Sequence, residues 1–266
     1  MCSACSSRSG DLLLAIGTGQ AARIDGRRAY GQIIGNSDAP YLNGLAGQAG
    51  LAMNFHAEAH PSLPNYIAMT SGSTHGITDD DPPPDHPLDV PSIFSLLPGG
   101  GSRSLEESMP SNCRLTDSGN YAVRHNPQVY YTNLGGDCAR FNIPLADPPD
   151  LSARFTFVAP NLIDDMHDGT VADGDTWLST FVPELLASAE YAAGRTAVFI
   201  TWDEDDDLSG NHIPTFVLAP SVVPGTQVST MLDHDSMLRG TQEMLNLTPL
   251  LGNAATAADM RAAFNL

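Results

Sequence analysis

The chain has 266 residues, of which 12 are basic and 31 acidic, and its formal net charge is −19. All of the basic residues are arginine, and the absence of lysine excludes P-loop proteins, Schiff-base enzymes and protein kinases, which each need a lysine ammonium at a fixed place. The negative charge opposes contact with a phosphate backbone, so nucleic acid is not an expected partner.

Strand and helix signals alternate along one domain, which is typical of an α/β fold. Strands are predicted over residues 51–55, 154–159, 196–202 and 215–219, the last three being apolar runs of the kind buried on both faces of a parallel sheet. Helices are predicted over residues 175–193, with Asp175 as the N-cap and Gly194 as the C-cap, and over residues 234–247. Prolines and aspartates in residues 78–91 predict a surface loop.

Membrane insertion is not expected, because no run approaches the roughly 20 apolar residues of a membrane helix. The apolar stretch Leu12–Ile16 is too short for the core of a signal peptide and does not indicate export. Cys113 and Cys138 bracket a loop-rich stretch, which suits one disulfide, with two buried thiols as the alternative. No Cys-x-x-Cys pair supports a zinc site.

Carboxylate-rich turns follow two of the predicted strands, and in open α/β sheets ligands bind beyond the carboxyl ends of strands. These turns and two later histidines offer hard oxygen and imidazole ligands suited to a divalent metal. The alternative, above all for residues 205–207, is a solvated acidic surface. The candidate ligands are Asp165, His167, Asp203, Glu204, His212 and His234.

Ser62 stands just before Pro64 and a helix-like run, so it is predicted at or next to a helix N-terminus. Such a terminus offers unpaired N–H groups and a positive dipole end to an anion. The alternative is that Ser62 is simply an N-cap. The HAEAH sequence of residues 56–60 lacks the glutamate placement of zinc-protease helices, and the chain has no Gly-x-Ser-x-Gly nucleophile elbow.

Several motifs follow one another between Tyr30 and Leu250: YGQIIGNSDAPYLN, HPSLPNYIAMTSGSTHGITDD, RHNP, PNLIDDMHDG, TWDEDD with NHIP, and HDSML. Together they resemble a bacterial phosphoesterase family that includes secreted acid phosphatases, a phosphatidylinositol 3-phosphate phosphatase and, more distantly, phospholipases C. The resemblance implies an α/β fold of the alkaline-phosphatase-like type, a three-layer sandwich with a mostly parallel central sheet. It places the phosphoesterase domain at residues 29–266, after an atypical N-terminal segment of residues 1–28.

The implied activity is metal-assisted hydrolysis of phosphomonoesters through a phosphoseryl intermediate, outside the cell, on a small-molecule or lipid phosphate ester. The implied cofactor is a divalent cation, with Zn, Mn or Ca compatible with carboxylate and imidazole ligands. Carried over to this chain, Ser62 is the nucleophile and Asn65 donates to a phosphate oxygen. His167 and His234 are further catalytic candidates, for protonating the leaving group. The resemblance assigns metal binding to Asp165, Asp203 and Glu204, and places Arg124, His125 and His212 at the substrate.

One departure concerns a Glu-Asn pair that binds metal at the start of the family's domain, where this chain has Gly26 and Arg27. Neither side chain supplies a ligand atom for a cation, so Asp25 would have to substitute or fewer ligands would hold the metal. The strand expected directly before this pair is missing, and Leu12–Ile16 stands too early to replace it without a loop. The alternatives to a phosphomonoesterase are therefore a phospholipase C-type phosphodiesterase and a catalytically impaired relative that binds phosphate or metal.

Overall fold

The computed structural model describes residues 12–16 and 28–266, the first of these segments by its backbone alone. The altered positions Asp25, Gly26 and Arg27 lie outside the described residues. Within the described part, no helix is both long enough and apolar enough to cross a membrane.

The elements alternate between strand and helix along the chain, as the sequence predicts. The strands are β1 Leu12–Ile16, β2 Gly50–His56, β3 Ser102–Glu106, β4 Asn142–Pro144, β5 Phe155–Ala159, β6 Thr196–Thr201, β7 His212–Leu218, β8 Gln227–Val228 and β9 Leu232–Asp233. The α-helices are α1 Tyr30–Ile33, α2 Pro40–Ala46, α3 Ser62–Ser71, α4 Ile93–Leu96, α5 Asp137–Phe141, α6 Val171–Leu186, α7 Ala189–Ala192, α8 His234–Met244 and α9 Met260–Phe264. Short 3-10 helices span Val123–His125, Pro127–Tyr130, Thr132–Leu134 and Gly252–Ala255.

One sheet joins all of these strands in the order β4-β3-β5-β1-β6-β7-β2-β8, and β9 also pairs with β2. The strands from β4 to β6 run parallel to their neighbours, whereas β7 is antiparallel to both β6 and β2. Every residue of β5 and β6 is buried, which agrees with their continuous apolar sequences. The α/β class is confirmed. The sheet is mixed, but among the described strands only the two pairings of β7 are antiparallel, so the expectation of a mostly parallel sheet is supported in part.

The strand β1 shows that Leu12–Ile16 does contribute to the sheet, a position that the sequence analysis allowed for this stretch only with an intervening loop. Its five residues pair in parallel register with β5 on one side and with β6 on the other. An apolar sequence of this kind suits a position between two buried strands. Because β1 runs parallel to β5 and β6, its carboxyl end lies at the same edge of the sheet as theirs. The turns that carry the predicted metal ligands follow β5 and β6 at this edge.

The helix predicted over residues 175–193 begins four residues earlier, at Val171. The Thr170 side chain caps it by accepting the N–H of Asp173, whose carboxylate accepts the N–H of Thr170 in return. Asp175 therefore lies inside α6, where its buried carboxylate accepts two backbone N–H groups at the start of α2. The helix ends at Leu186, and the separate short helix α7 precedes Gly194. The helix predicted from His234 begins there as α8.

The helix α3, which begins at Ser62, is buried along its whole length and packs against α8. It ends at Gly72, whose φ of 78° lies in the left-handed region that favours glycine. A Cβ atom at this position would lie 2.3 Å from the carbonyl oxygen of Leu251. A disulfide joins Cys113 to Cys138, as predicted, and links the segment after β3 to α5.

Candidate active site

Ser62 is the first residue of α3, and Pro61 occupies the N-cap position. The Ser62 side chain is fully buried and belongs to the first turn, one residue after the N-cap position, so the reading of Ser62 as a simple N-cap is wrong. Its hydroxyl instead donates to Glu204 Oε1 at 3.0 Å, across 142 positions of sequence. The first turn of a helix leaves backbone N–H groups available to an anion, so this hydroxyl lies where a phosphate group would be favoured.

The first three carboxylates of the turn after β6 are buried, so this part of the turn is not a solvated acidic surface. Asp203, Glu204 and Asp205 are each 1 % exposed or less. The Asp205 carboxylate accepts the backbone N–H groups of residues 207, 209 and 211 and thereby shapes the loop. This loop brings Glu204 to Ser62, with Asp203 beside them.

His60 is a site residue that the sequence reasoning did not identify. Its Nδ1 contacts Glu204 Oε2 and lies 3.1 Å from Asp207 Oδ1, while its Nε2 lies 3.3 Å from Asp205 Oδ1. Glu204 therefore contacts Ser62 through one oxygen and His60 through the other. The position of His60, two residues before Ser62, could have indicated this role.

The surroundings of Asp203 disfavour the charged form of its carboxyl group. Burial raises its pKa well above the usual range, and the neighbouring Glu204 raises it further, while the nearby Ser62 hydroxyl lowers it. Neither Asp203 oxygen accepts a hydrogen bond of good geometry from the described residues. Buried charge of this kind is normally neutralised by a proton, a cationic side chain or a metal.

A second group of predicted residues gathers around Asp165, in the turn after β5. The buried Asp165 carboxylate accepts the backbone N–H of His167 at 2.6 Å, and its other oxygen lies 3.1 Å from His125 Nδ1. Burial raises the pKa of Asp165 well above its usual range. Burial lowers the pKa of His125 well below its usual range, with Arg124 and His167 adding to the effect.

Tyr66 of α3 links the two groups. Its ring stacks on that of His125, with centroids 5.1 Å apart. Burial raises the pKa of Tyr66, and the charges of Asp203 and Asp165 raise it further. Side chains predicted from three separate motifs therefore meet at α3, with Glu204 at Ser62 and His125 at Tyr66.

The hydrogen bonds of His167 determine which tautomer it adopts. Its Nε2 lies 2.8 Å from Arg124 Nη2, and a guanidinium can only donate, so Nε2 accepts. The proton is then on Nδ1, which lies 2.8 Å from Asp168 Oδ1 and donates to it. In this arrangement His167 is a neutral imidazole that holds Arg124 in place.

His234 is in the opposite condition, because both of its ring nitrogens face acceptors. Nδ1 lies 2.5 Å from Glu58 Oε2, and Nε2 lies 3.1 Å from the carbonyl oxygen of Trp202. Burial lowers the pKa of His234, but the charge and hydrogen bond of Glu58 outweigh this effect and raise it overall. Among the histidines predicted at the site, the contacts of His234 therefore favour its protonated form. Its contact with Trp202 places it next to the residue that precedes Asp203.

Two predicted residues have their polar atoms engaged elsewhere. The Asn65 side chain accepts the backbone N–H groups of residues 58 and 59 and donates to the carbonyl oxygens of residues 59 and 61, so it holds the loop before Ser62. His212 stacks between Tyr30 and His56, and its Nε2 bonds the carbonyl oxygen of Met53. The assignment of Asn65 to phosphate and of His212 to substrate stays a prediction.

The buried carboxylates in this region have the chemistry of divalent-cation ligands, since neither Asp203 oxygen accepts a hydrogen bond of good geometry from the described residues and the charge of the buried Asp165 acts on Asp203. Within residues 28–266, Asp165, Asp203 and Glu204 do not form as compact a group as Asp79, Asp81 and His86 of the surface loop. Those three offer one potential ligand atom each, all within 4.8 Å of one another.

Comparison with known proteins identifies the family. The sequence profile of the Phosphoesterase family matches residues 32–248. The chain belongs to the phosphoesterase family. It is 33 % identical to the phosphatidylinositol-3-phosphatase of Mycobacterium tuberculosis over 243 residues, which cover 88 % of this chain and 78 % of that protein. It is 29 % identical to an acid phosphatase of Aspergillus fumigatus over 78 % of this chain, and it spans about half the length of that relative, 51 %.

Solved structures support the fold. A Vibrio parahaemolyticus protein of the alkaline phosphatase superfamily superposes with a TM-score of 0.61 at 11 % identity, over 96 % of this chain and 71 % of that chain. A phosphonate monoester hydrolase from Silicibacter pomeroyi gives 0.59 at 12 % identity, over 97 % and 76 %. This member of the phosphoesterase family therefore has an alkaline-phosphatase-like fold, and with named phosphatases among its relatives it is a phosphoric ester hydrolase.

Proposed function

We propose that the chain hydrolyses phosphomonoesters and that Ser62 attacks the phosphorus atom. The observation that carries this proposal is the buried Ser62 hydroxyl at the first residue of α3, donating to the Glu204 carboxylate. A helix N-terminus favours the anionic phosphoryl group, and a carboxylate acceptor orients the hydroxyl and can take its proton.

The proposed reaction has two steps. In the first, a bond forms between Ser62 Oγ and phosphorus while the ester P–O bond breaks, and the serine proton passes to Glu204. The departing alcohol oxygen takes a proton from a general acid, for which His234 is favoured over His167 because both ring nitrogens of His234 face acceptors, whereas His167 Nε2 accepts from Arg124. In the second step, the oxygen of a water molecule bonds to phosphorus while the bond between phosphorus and Ser62 Oγ breaks. The histidine takes a proton from that water, Glu204 returns its proton to Ser62 Oγ, and inorganic phosphate is released.

A divalent cation would be held by Asp165, Asp203 and Glu204. When bound, such an ion lowers the pKa of a serine hydroxyl and neutralises phosphoryl oxygens, which a chain without lysine must achieve by other means. Arg124, which His167 orients, brings a further positive charge to the site. We assign Arg124 to the phosphoryl oxygens because guanidinium groups bind them through paired hydrogen bonds.

The substrate class is a small-molecule or lipid phosphate ester. The similarity to a phosphatidylinositol-3-phosphatase over 88 % of the chain favours inositol lipid phosphates among the first substrates to test. The disulfide between Cys113 and Cys138 is typical of proteins that leave the reducing cytosol, which supports an extracellular site of action.

The proposal is tested by hydrolysis of chromogenic monoester and diester substrates, with and without chelator. The variants are Ser62→Ala and a control, Ser179→Ala, which makes the same change on the exposed face of α6. We expect monoester turnover that chelator removes and added metal restores, and a loss on the order of 10³-fold or more in Ser62→Ala alone. Preference for the diester would favour the phospholipase C-type alternative. Binding of phosphate or metal without turnover would favour the impaired relative, and full activity in Ser62→Ala would refute the proposal.

A further inference from the structure

The surface loop of residues 78–91 supplies a carboxylate to the first turn of α3. Asp80 Oδ1 accepts the backbone N–H of Leu63 at 2.9 Å, and Leu63 is the residue after Ser62. This places a side chain from outside the helix against the turn that carries the proposed nucleophile. The Asp80 side chain is about one-third exposed, so part of it faces the protein interior.

The same carboxylate also faces the arginine of the site. Asp80 Oδ2 lies 3.8 Å from Arg124 Nε, and the far end of the guanidinium lies 2.8 Å from His167 Nε2. Arg124 is therefore bracketed by Asp80 on one side and by the neutral His167 on the other. Through Asp80, its position is coupled to the helix turn that begins at Ser62.

The loop is fixed against the segment that follows Arg124, which keeps Asp80 in place. The Tyr130 hydroxyl donates to the carbonyl oxygen of Asp81 at 3.2 Å, and the backbone N–H of Leu88 donates to that of Tyr130 at 2.8 Å. Burial raises the pKa of Asp80, while the Leu63 N–H and Arg124 lower it, so both contacts favour its charged form.

We propose that Asp80 is a positioning residue that sets the Arg124 guanidinium against Ser62, so that arginine and nucleophile meet the same phosphoryl group. The inference rests on the proposed function of Ser62 and Arg124. An amide at this position retains an oxygen for the Leu63 N–H but loses the charge that attracts Arg124. Asp80→Asn therefore separates the positioning of the arginine from the helix contact.

The test is a double-mutant cycle on monoester hydrolysis with Asp80→Asn, Arg124→Gln and the combined variant. Asp85→Asn is the matched control, because it removes the same charge from an exposed position of the same loop. We expect Asp80→Asn to lower kcat/KM by about 10- to 100-fold, since small misplacements of positioned groups carry costs of that order. We expect Asp85→Asn to stay within about twofold, and Asp80→Asn to add less than about threefold in the Arg124→Gln background.

Wild-type kcat/KM in Asp80→Asn, or independent effects that multiply in the combined variant, would overturn the inference. Binding of inorganic phosphate by calorimetry should weaken in Asp80→Asn but not in Asp85→Asn, which gives a readout apart from turnover. If Asp80→Asn does not fold, Asp80→Glu serves in its place: it keeps the charge but displaces it by one methylene, and unchanged kcat/KM there would likewise overturn the inference. Failure of the proposed function would give a different result, because Ser62→Ala would then keep its activity whatever the effect of Asp80→Asn.

Discussion

The buried Glu106 at the end of β3 makes stability depend on pH in a way that can be worked out from the structure. Its side chain is 1 % exposed, and Oε1 accepts the Ser104 hydroxyl at 2.6 Å. Burial raises the pKa of Glu106 from 4.5 to about 8, although the Ser104 hydrogen bond opposes the shift. In the folded protein this carboxyl therefore keeps its proton through most of the neutral range.

The sign follows from proton binding. Above pH 4.5 the unfolded chain loses this proton while the folded chain retains it up to about pH 8, so the free energy of unfolding falls as pH rises through that window. Each pH unit is worth about 1.4 kcal/mol for a single group. Between about pH 5 and pH 8, Glu106 should thus remove roughly 4 kcal/mol of stability, an upper value because nearby groups relax.

Glu106→Gln keeps the shape of the side chain but cannot ionise. We predict that urea unfolding, measured with chelator present throughout, shows the variant gaining roughly 4 kcal/mol on the wild type between about pH 5 and pH 8. Glu184→Gln, on the exposed face of α6, controls for the change in net charge and should follow the wild type. Parallel curves for the wild type and Glu106→Gln would refute the reasoning.

Two further changes test the fold. Replacing both Cys113 and Cys138 by serine opens a loop with a sequence separation of 25, and should lower the free energy of unfolding in urea by about 3 kcal/mol; an unchanged midpoint would contradict the stabilising role of this bridge. Gly72→Ala should lower the melting temperature by several degrees, since its φ is 78° and the added Cβ would meet the Leu251 carbonyl at 2.3 Å. Gly76→Ala is the control, because it also has positive φ but an open surrounding, and an equal loss in both variants would exclude the steric contribution.

The parts of the fold that follow from local sequence are those whose signal is strong within a few residues. The apolar runs of β5 and β6 predict buried strands, and the carboxylates after them predict the edge where the site forms. The start of α6 could not be predicted in this way. Asp175 resembles an N-cap, but its partner is the start of α2, more than 130 residues away.

In the site, too, local sequence identifies some residues, whereas contacts between distant segments determine their roles. Ser62 and Glu204 were identified from motifs, but their hydrogen bond joins two segments 142 residues apart. The roles of His60 and Asp80 rest on contacts of this kind, and nothing in the residues around them specifies these contacts. The protonation of His167 and His234 depends on acceptors and donors from other elements, which only the folded chain brings together.

The central claim is that Ser62 becomes phosphorylated during turnover. The direct measurement is an acid quench of the enzyme mixed with excess monoester, followed by mass spectrometry of its peptides. We expect the wild type to carry one phosphoryl group on Ser62, and Ser62→Ala treated in the same way to carry none. Phosphate attached to another residue, or continued turnover by Ser62→Ala, would contradict it.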